Sequence, residues 1–163
     1  MIAWLPDLLL LDDYGDDWQR YFEAVYQVFW DNFIQHRPVF RGQRLGLRKY
    51  PEFEGKSATF WHMISEGKVE SDRIPDFRRC ERIGWPAPII QNSEVPDIRC
   101  WSNERNGDKR IIIWLVEADY LVVLSERNGY LLPLTAYMLS YQHSRDKLEK
   151  EYRAFTKAKG APF

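Results

Sequence analysis

Apolar and polar positions change their period near the middle of the chain. Between Asp17 and Ile34 the residues Trp18, Phe22, Val25, Phe29 and Phe33 recur at helical spacing, broadened by Tyr21, Val28 and Ile34. Asp16 or Asp17 stands where an N-cap belongs. Pro38 closes the run, because the residue before a proline is pushed out of helical geometry. Residues 38–50, with Gly42 and Gly46, read as an extended arm or short strand. One helix is expected from Ser57 to Gly67, and another after Pro75 from Asp76 to Ile83, ahead of Gly84 and Pro86. Pro86 to Pro96 is a loop or short helix around Ile89 and Ile90.

Beyond Pro96 the runs become short and β-rich: Ile98–Trp101, Arg110–Val116, Tyr120–Ser125 and Tyr130–Tyr141. They are separated by Asn106-Gly107-Asp108, Glu117-Ala118-Asp119 and Asn128-Gly129. Asn-Gly between apolar runs is a strong hairpin signal, because both residues tolerate the positive φ of a tight turn. An antiparallel meander is therefore expected. A last helix, about Ser144 to Ala158, carries Leu148, Tyr152 and Phe155 as its buried stripe. The expected class is α+β: N-terminal helices, a four-stranded antiparallel sheet and a C-terminal helix.

At 163 residues the chain reads as one domain, with an acidic amphipathic helix region over 1–35 and a core over 36–158. A hydrophobic share of 45% and an aromatic share of 15% exclude a disordered chain. Cys80 and Cys100 lack metal-ligand spacing, which argues against a disulfide scaffold or a zinc ribbon. The apolar start, Met1 to Leu11, has no basic flank, contains Pro6 and Asp7, and is too short to span a bilayer. A soluble, cytoplasmic protein with no membrane partner is expected.

The net charge of −1 hides an asymmetry. Residues 1–31 carry seven acids and one base, whereas the remainder holds 22 Lys and Arg against 17 acids. Residues 32–50 contain Arg37, Arg41, Arg44, Arg48 and Lys49 and no acid. Most charge runs only solvate a surface. An acid-free run that also carries Phe40 and Tyr50 points to a phosphate-contacting face, with Arg41, Arg44, Arg48 and Lys49 as RNA-binding candidates.

The histidines are His36, His62 and His143, and none pairs at i, i+4 with a second metal ligand. There is no phosphate-binding loop, dinucleotide fingerprint or nucleophile elbow, so no cofactor and no metal is expected. Chemistry then rests on side chains alone. RNA cleavage is one such reaction, needing a base for the ribose 2′-OH, an acid for the leaving oxygen and cations for the charge on phosphorus. His62 lies in Thr59-Phe60-Trp61-His62-Met63, and its plain alternative is a histidine bonded into the core. With Ser57 and Thr59 it is expected toward the N-terminal part of its helix, where the dipole favours an anion.

Thr135 and Tyr137 are i, i+2 on the last strand and share a face, with His143 just beyond. Arg78 or Arg79 shares a helix face with Arg82, and either pair suits a phosphate clamp as well as surface ion pairing with Asp76 and Glu81. Among the tryptophans, Trp114 is expected in the core and Trp101 at a rim, where a base can stack on it.

Helices followed by a four-stranded antiparallel sheet resemble the fold shared by barnase, EndoU, colicin-type tRNases and RelE-type toxins, the BECR fold. Phe40-Arg41-Gly42-Gln43, Thr59-Phe60-Trp61-His62, Arg78-Arg79-Cys80-Glu81-Arg82-Ile83 and Trp85-Pro86 look like a bacterial family of such small proteins from mobile elements. Leu134-Thr135-Ala136-Tyr137 and His143-Ser144-Arg145-Asp146-Lys147-Leu148 do too. The resemblance covers about residues 35–155. It implies a metal-independent endoribonuclease, often a toxin paired with an antitoxin. Mapped onto this chain, His62 is base or acid, Arg79 or Arg82 the charge stabiliser, and Thr135, Tyr137 and His143 the positioning or proton-transfer groups. The near-neutral net charge departs from the basic balance of free toxins. The rival expectation is a non-catalytic interaction subunit of a phage or defence system, in which His62 is packed away or isolated instead of lining a cleft beside Thr135 and Tyr137.

Overall fold

Asp17 caps the first helix, its carboxylate accepting from the Gln19 and Arg20 amides at 3.1 and 3.3 Å. Helix α1 runs Trp18–Phe29 and continues as a π-helical stretch, Trp30–Gln35. The computed structural model describes residues 2–67 and 73–159; Met1 of the apolar start lies outside them. Two-residue strands β1 (Val39–Phe40) and β2 (Gln43–Arg44) pair antiparallel in the arm. Helix α2 (Ala58–Ile64) is capped by Ser57, whose hydroxyl accepts from the Phe60 amide. Strands β3 (Ser65–Glu66) and β4 (Ile74–Pro75) pair next, followed by α3 (Phe77–Glu81), capped by Asp76, and α4 (Pro86–Gln91).

The α+β class is as the sequence indicates. Strands β5 (Ile98–Arg105), β6 (Asp108–Leu115), β7 (Tyr120–Arg127) and β8 (Tyr130–Met138) form one antiparallel sheet in the order β5-β6-β7-β8, and α5 (Gln142–Lys159) closes the chain. Both Asn-Gly pairs are tight turns with positive φ, 53° and 77° at Asn106-Gly107 and 46° and 86° at Asn128-Gly129. At the Asn-Gly ends the strands are longer than the apolar runs: Ser102–Arg105 joins β5, Asp108 and Lys109 join β6, and Glu126 and Arg127 join β7. Ladder hydrogen bonds there form between polar residues whose side chains gave no apolar period.

The two faces of the sheet bury different partners. One packs Ile98, Cys100, Ile111, Ile113, Val122 and Leu124 against Tyr21, Phe29, Phe60, Met63 and Ile89 of the helical half. The other packs Trp101, Ile112, Trp114, Leu121 and Val123 beneath Leu148, Tyr152 and Phe155 of α5, the stripe its period predicts. A bulge between Val123 and Leu124 shifts the register of β8, so Thr135 stands opposite Val123 and Tyr137 opposite Leu121, both on the α5 face.

The basic arm crosses beneath the other face. Phe40 and Leu45 are buried in its core, and the Gly46 amide donates to the Leu131 carbonyl at 2.8 Å. A Cβ at Gly46 would stand 3.3 Å from the Tyr130 ring, so a side chain there would have to displace that exposed ring by a few tenths of an ångström. The arm therefore joins the two edges of the sheet. Among the described residues, no helix is long and apolar enough to cross a membrane.

Candidate functional site

Four of the sequence-predicted residues meet at the β8 edge. Arg79 on α3 sends Nη1 to the Ser65 carbonyl at 3.0 Å, to Thr135 Oγ1 at 3.2 Å and to the His62 carbonyl at 3.4 Å. Its Nη2 lies 3.4 Å from Glu66 Oε2, and its guanidinium stands 5.3 Å from the centroid of the Tyr137 ring. The Arg79 side chain is only 10% exposed. Its planar fork thus ties α2, β3, α3 and β8 together. It is a brace more than a free phosphate clamp.

His62 is in the last turn of the short α2, not near its start. The macrodipole there favours a cation instead of a bound anion, which corrects the anion-site expectation. Ser57 is spent as the cap, and Thr59 exchanges hydrogen bonds with the Arg48 backbone, its hydroxyl accepting from the amide at 2.8 Å. The half-buried His62 lines a narrow recess with Arg48, Arg127, Leu132 and Leu134. It belongs to the β8 edge, but through its carbonyl.

Thr135, Tyr137 and His143 share a second space. A groove of about 300 Å³ runs between the sheet and the first half of α5. Its floor is apolar, made of Ile112, Leu121, Val123, Leu139 and Leu148. Thr135 and Tyr137 rise from β8, while His143, Lys147 and Glu151 come from α5 at i, i+4 and i+8, one helical face. Arg105, Arg110 and Asn103 complete it from β5 and β6. His143 is exposed and stacks on Tyr141 at 5.4 Å and 22°.

Beyond the groove the same face of the sheet ends in charge. Asp108 lies 3.2 Å from Arg110 Nε and 3.4 Å from Arg127 Nε, and accepts from Ser125 Oγ at 2.9 Å. Burial acts to raise the Asp108 carboxyl, but hydrogen bonds from Ser125 and Arg110 and the Arg127 and Arg110 charges outweigh it and hold the carboxyl below its usual range. Asp108 thereby aims two guanidinium groups along the face. Arg105 and Lys147 are exposed and have no side-chain partner among the described residues. Together these cations suit an extended polyanion.

Several sequence-predicted RNA contacts are placed elsewhere. Arg41 is bound at the opposite, β5 edge, donating to Ser93 Oγ at 3.1 Å and the Ser93 carbonyl at 3.3 Å, with Glu94 3.6 Å away. Because the arm passes under the sheet, Arg41 and Arg48 emerge at opposite edges and do not make one patch. Arg44 and Lys49 are exposed, with Lys49 5.4 Å from the Tyr50 ring centroid. Arg82 lies over Trp85 at 5.1 Å and donates to the Arg78 carbonyl at 3.2 Å, with its side chain 14% exposed. Trp101 is fully buried, packed on Trp114 and Tyr152, and donates from Nε1 to Glu151 Oε1 at 2.7 Å. It is a core residue and no base can stack on it. Trp114 is buried, as expected.

Sequence reasoning missed Asn103, Arg105, Arg110, Arg127, Lys147 and Glu151. Two signals were present: the i, i+4, i+8 spacing of His143, Lys147 and Glu151, and the alternation Asn103, Arg105 and Asp108, Arg110 about the Asn106-Gly107 turn. Among the described residues, no three His, Cys, Asp or Glu side chains gather into a metal-ligand set. Compared with known proteins, the chain matches no family model, no curated protein and no solved structure.

Proposed function

We propose that this protein is a metal-independent endoribonuclease, toxin-like in scale, that cuts RNA lying along the cationic end of the α5 face. One observation carries the reading: a single groove brings Thr135, Tyr137 and His143 together with Arg105, Arg110 and Lys147. The cations hold the phosphodiester and stabilise the charge that grows on its oxygens. One proton-transfer group takes the ribose 2′-OH proton as the 2′-oxygen–phosphorus bond forms. A second gives a proton to the 5′-oxygen as its bond to phosphorus breaks, leaving a 2′,3′-cyclic phosphate and a 5′-hydroxyl. His143 serves as one of these groups, because imidazole exchanges protons near neutral pH, and the Tyr137 hydroxyl is the other. Thr135 positions the substrate, Arg79 braces Thr135 and Tyr137, and His62 with Arg48 extends the RNA track past β8.

The experiment is cleavage of total cellular RNA in EDTA by the wild type, His143→Ala and His62→Ala, with the ends analysed. Cyclic phosphate ends from the wild type and at least a hundredfold loss in a folded His143→Ala are expected, with a smaller loss for His62→Ala. No cleavage by the wild type overturns the reading.

A non-catalytic interaction role has its own observation. A cleft of about 600 Å³ beside α3 is lined by Phe77, Arg78, Tyr137 and Tyr141, of which Phe77 and Tyr141 are 52% and 65% exposed. Capture of a partner protein, such as an antitoxin, at that cleft is compatible with RNA cleavage in the groove; capture without cleavage favours the interaction subunit alone.

A further inference from the structure

A second cavity adjoins the groove, and the cleavage chemistry leaves it unused. The cleft of about 600 Å³ beside α3 shares Tyr137, Leu139 and Ser144 with the groove between the sheet and α5, so these three residues form a wall between two spaces. Tyr137, a proton-transfer group of the proposed reaction, therefore borders both. Phe77 from α3 and Tyr141 just before α5 bring exposed rings to the cleft. Arg78 lines it too, is exposed, and has no side-chain partner among the described residues. The two carboxylates of the cleft are both engaged: Asp76 accepts from the Arg78 and Arg79 amides at 2.8 and 3.3 Å, and Glu66 lies 3.4 Å from Arg79 Nη2. A concave space of this size suits a small ring system, whereas a protein partner needs a broad face of about 800 Å².

We infer that the α3 cleft is a stacking subsite for the base of one of the two nucleotides that flank the scissile phosphate, and that the substrate is a single strand splayed over the Tyr137 wall. The inference rests on the reading of this protein as a ribonuclease. The scissile phosphate lies at the groove cations beside Tyr137, and the strand continues over the wall into the cleft. There the base stacks on Phe77 or Tyr141, a contact open to every base because each has a π-face. Arg78 meets the next phosphate. Neighbouring nucleotides on two sides of a wall cannot keep their bases stacked in a continuous helix. The site thus selects single-stranded over duplex RNA, with little choice among the four bases on the cleft side.

Fluorescence anisotropy with a short 2′-O-methyl RNA, which lacks the attacking hydroxyl and so stays whole, tests it. The wild type is expected to bind the single strand at least about tenfold more tightly than its duplex, the size of one stacked base. Phe77→Leu combined with Tyr141→Leu keeps apolar bulk and removes both π-faces. This variant is expected to lose about tenfold in affinity for the single strand and nothing for an abasic sugar–phosphate strand of the same length. Phe77→Trp combined with Tyr141→Trp returns the stacking faces and is expected to restore the affinity. A duplex bound as tightly as the single strand, or a double Leu variant that binds like the wild type, overturns the inference. So does a partner protein that occupies the cleft and leaves the affinity for the single strand intact. The two readings fail separately. RNA cleavage with an unaffected double Leu variant removes the cleft subsite alone, whereas ring-dependent binding without cleavage of RNA removes the ribonuclease alone.

Discussion

The α5 face of the sheet has two halves built on the same strands. At the β6–β7 end, Trp101, Ile112, Trp114, Leu121 and Leu139 are buried under α5. At the Asn-Gly end the same alternation continues as Asn103 and Arg105, Asp108 and Arg110, Ser125 and Arg127. The β5–β6 ladder runs through both halves, so on these two strands the difference lies in side chains. One half excludes water and holds the fold. The other ends the strands in cations, carried on paired strands instead of loops. Sites on such a frame keep their geometry better than sites on loops.

The largest effects should come from crossing that boundary. Trp101→Ala empties a fully buried position and removes the indole N–H that donates to Glu151 Oε1, leaving that oxygen only the Asn103 amide as donor. It is expected to cost about 3–5 kcal/mol in denaturant unfolding, enough to unfold a marginal domain. Arg105→Ala, four residues along the same strand and on the same face, is expected to stay within about 0.5 kcal/mol of the wild type. Its effect should show in RNA affinity instead, with the salt dependence of binding shallower by about one counterion. If Arg105→Ala destabilised like a core change, or left RNA binding untouched, the contrast between the halves would be lost.

Arg79 sharpens the same comparison from the β8 edge. Its fork reaches three acceptors on separate elements, so Arg79→Ala should cost on the order of 2–3 kcal/mol. Arg79→Lys should recover only part of this, because one ammonium cannot reproduce the planar fork. RNA cleavage by the folded fraction should fall by less than tenfold. Loss of cleavage with unchanged unfolding would instead make Arg79 a phosphate contact, as its sequence neighbourhood had suggested.

The fold was legible where side chains obey a period. The α1 stripe, the four strands, both Asn-Gly turns and the Leu148, Tyr152, Phe155 stripe follow from spacing alone. The site was legible only in part, because half of it lies where polar strand residues have no apolar period to mark them. Arg105 fell between the Ile98–Trp101 run and the Asn106-Gly107 turn, and Arg110 was read only as the first residue of the Arg110–Val116 run. Trp101 was misplaced for the same reason: with Ser102 and Asn103 read as leaving the sheet, it became an end instead of the middle of β5. Arg41 and Arg48 share a sequence run but not a surface, since the arm threads under the sheet, and nothing local in the chain encodes that path.

The smallest expected effect concerns Asp108, which sits at the polar end and belongs to the cations more than to the core. Its carboxyl is held below the usual value in the folded protein, so its contribution to stability is fully present above the unfolded value, about pH 4. That contribution is lost as pH falls through the lower, folded value. Partly exposed pairs of this kind contribute about 0.5–1 kcal/mol. Asp108→Asn should therefore be slightly less stable than the wild type at neutral pH and converge with it in acid below pH 4, as followed by urea unfolding across pH. Its RNA binding should move the other way. Removing one negative charge from a cationic face tightens non-specific attraction to phosphate, while Arg110 and Arg127 lose the partner that aims them, so cleavage falls as affinity rises. Weaker binding together with weaker cleavage would mean that aim outweighs net charge at this end of the sheet, and that the polar half is as finely positioned as the apolar one.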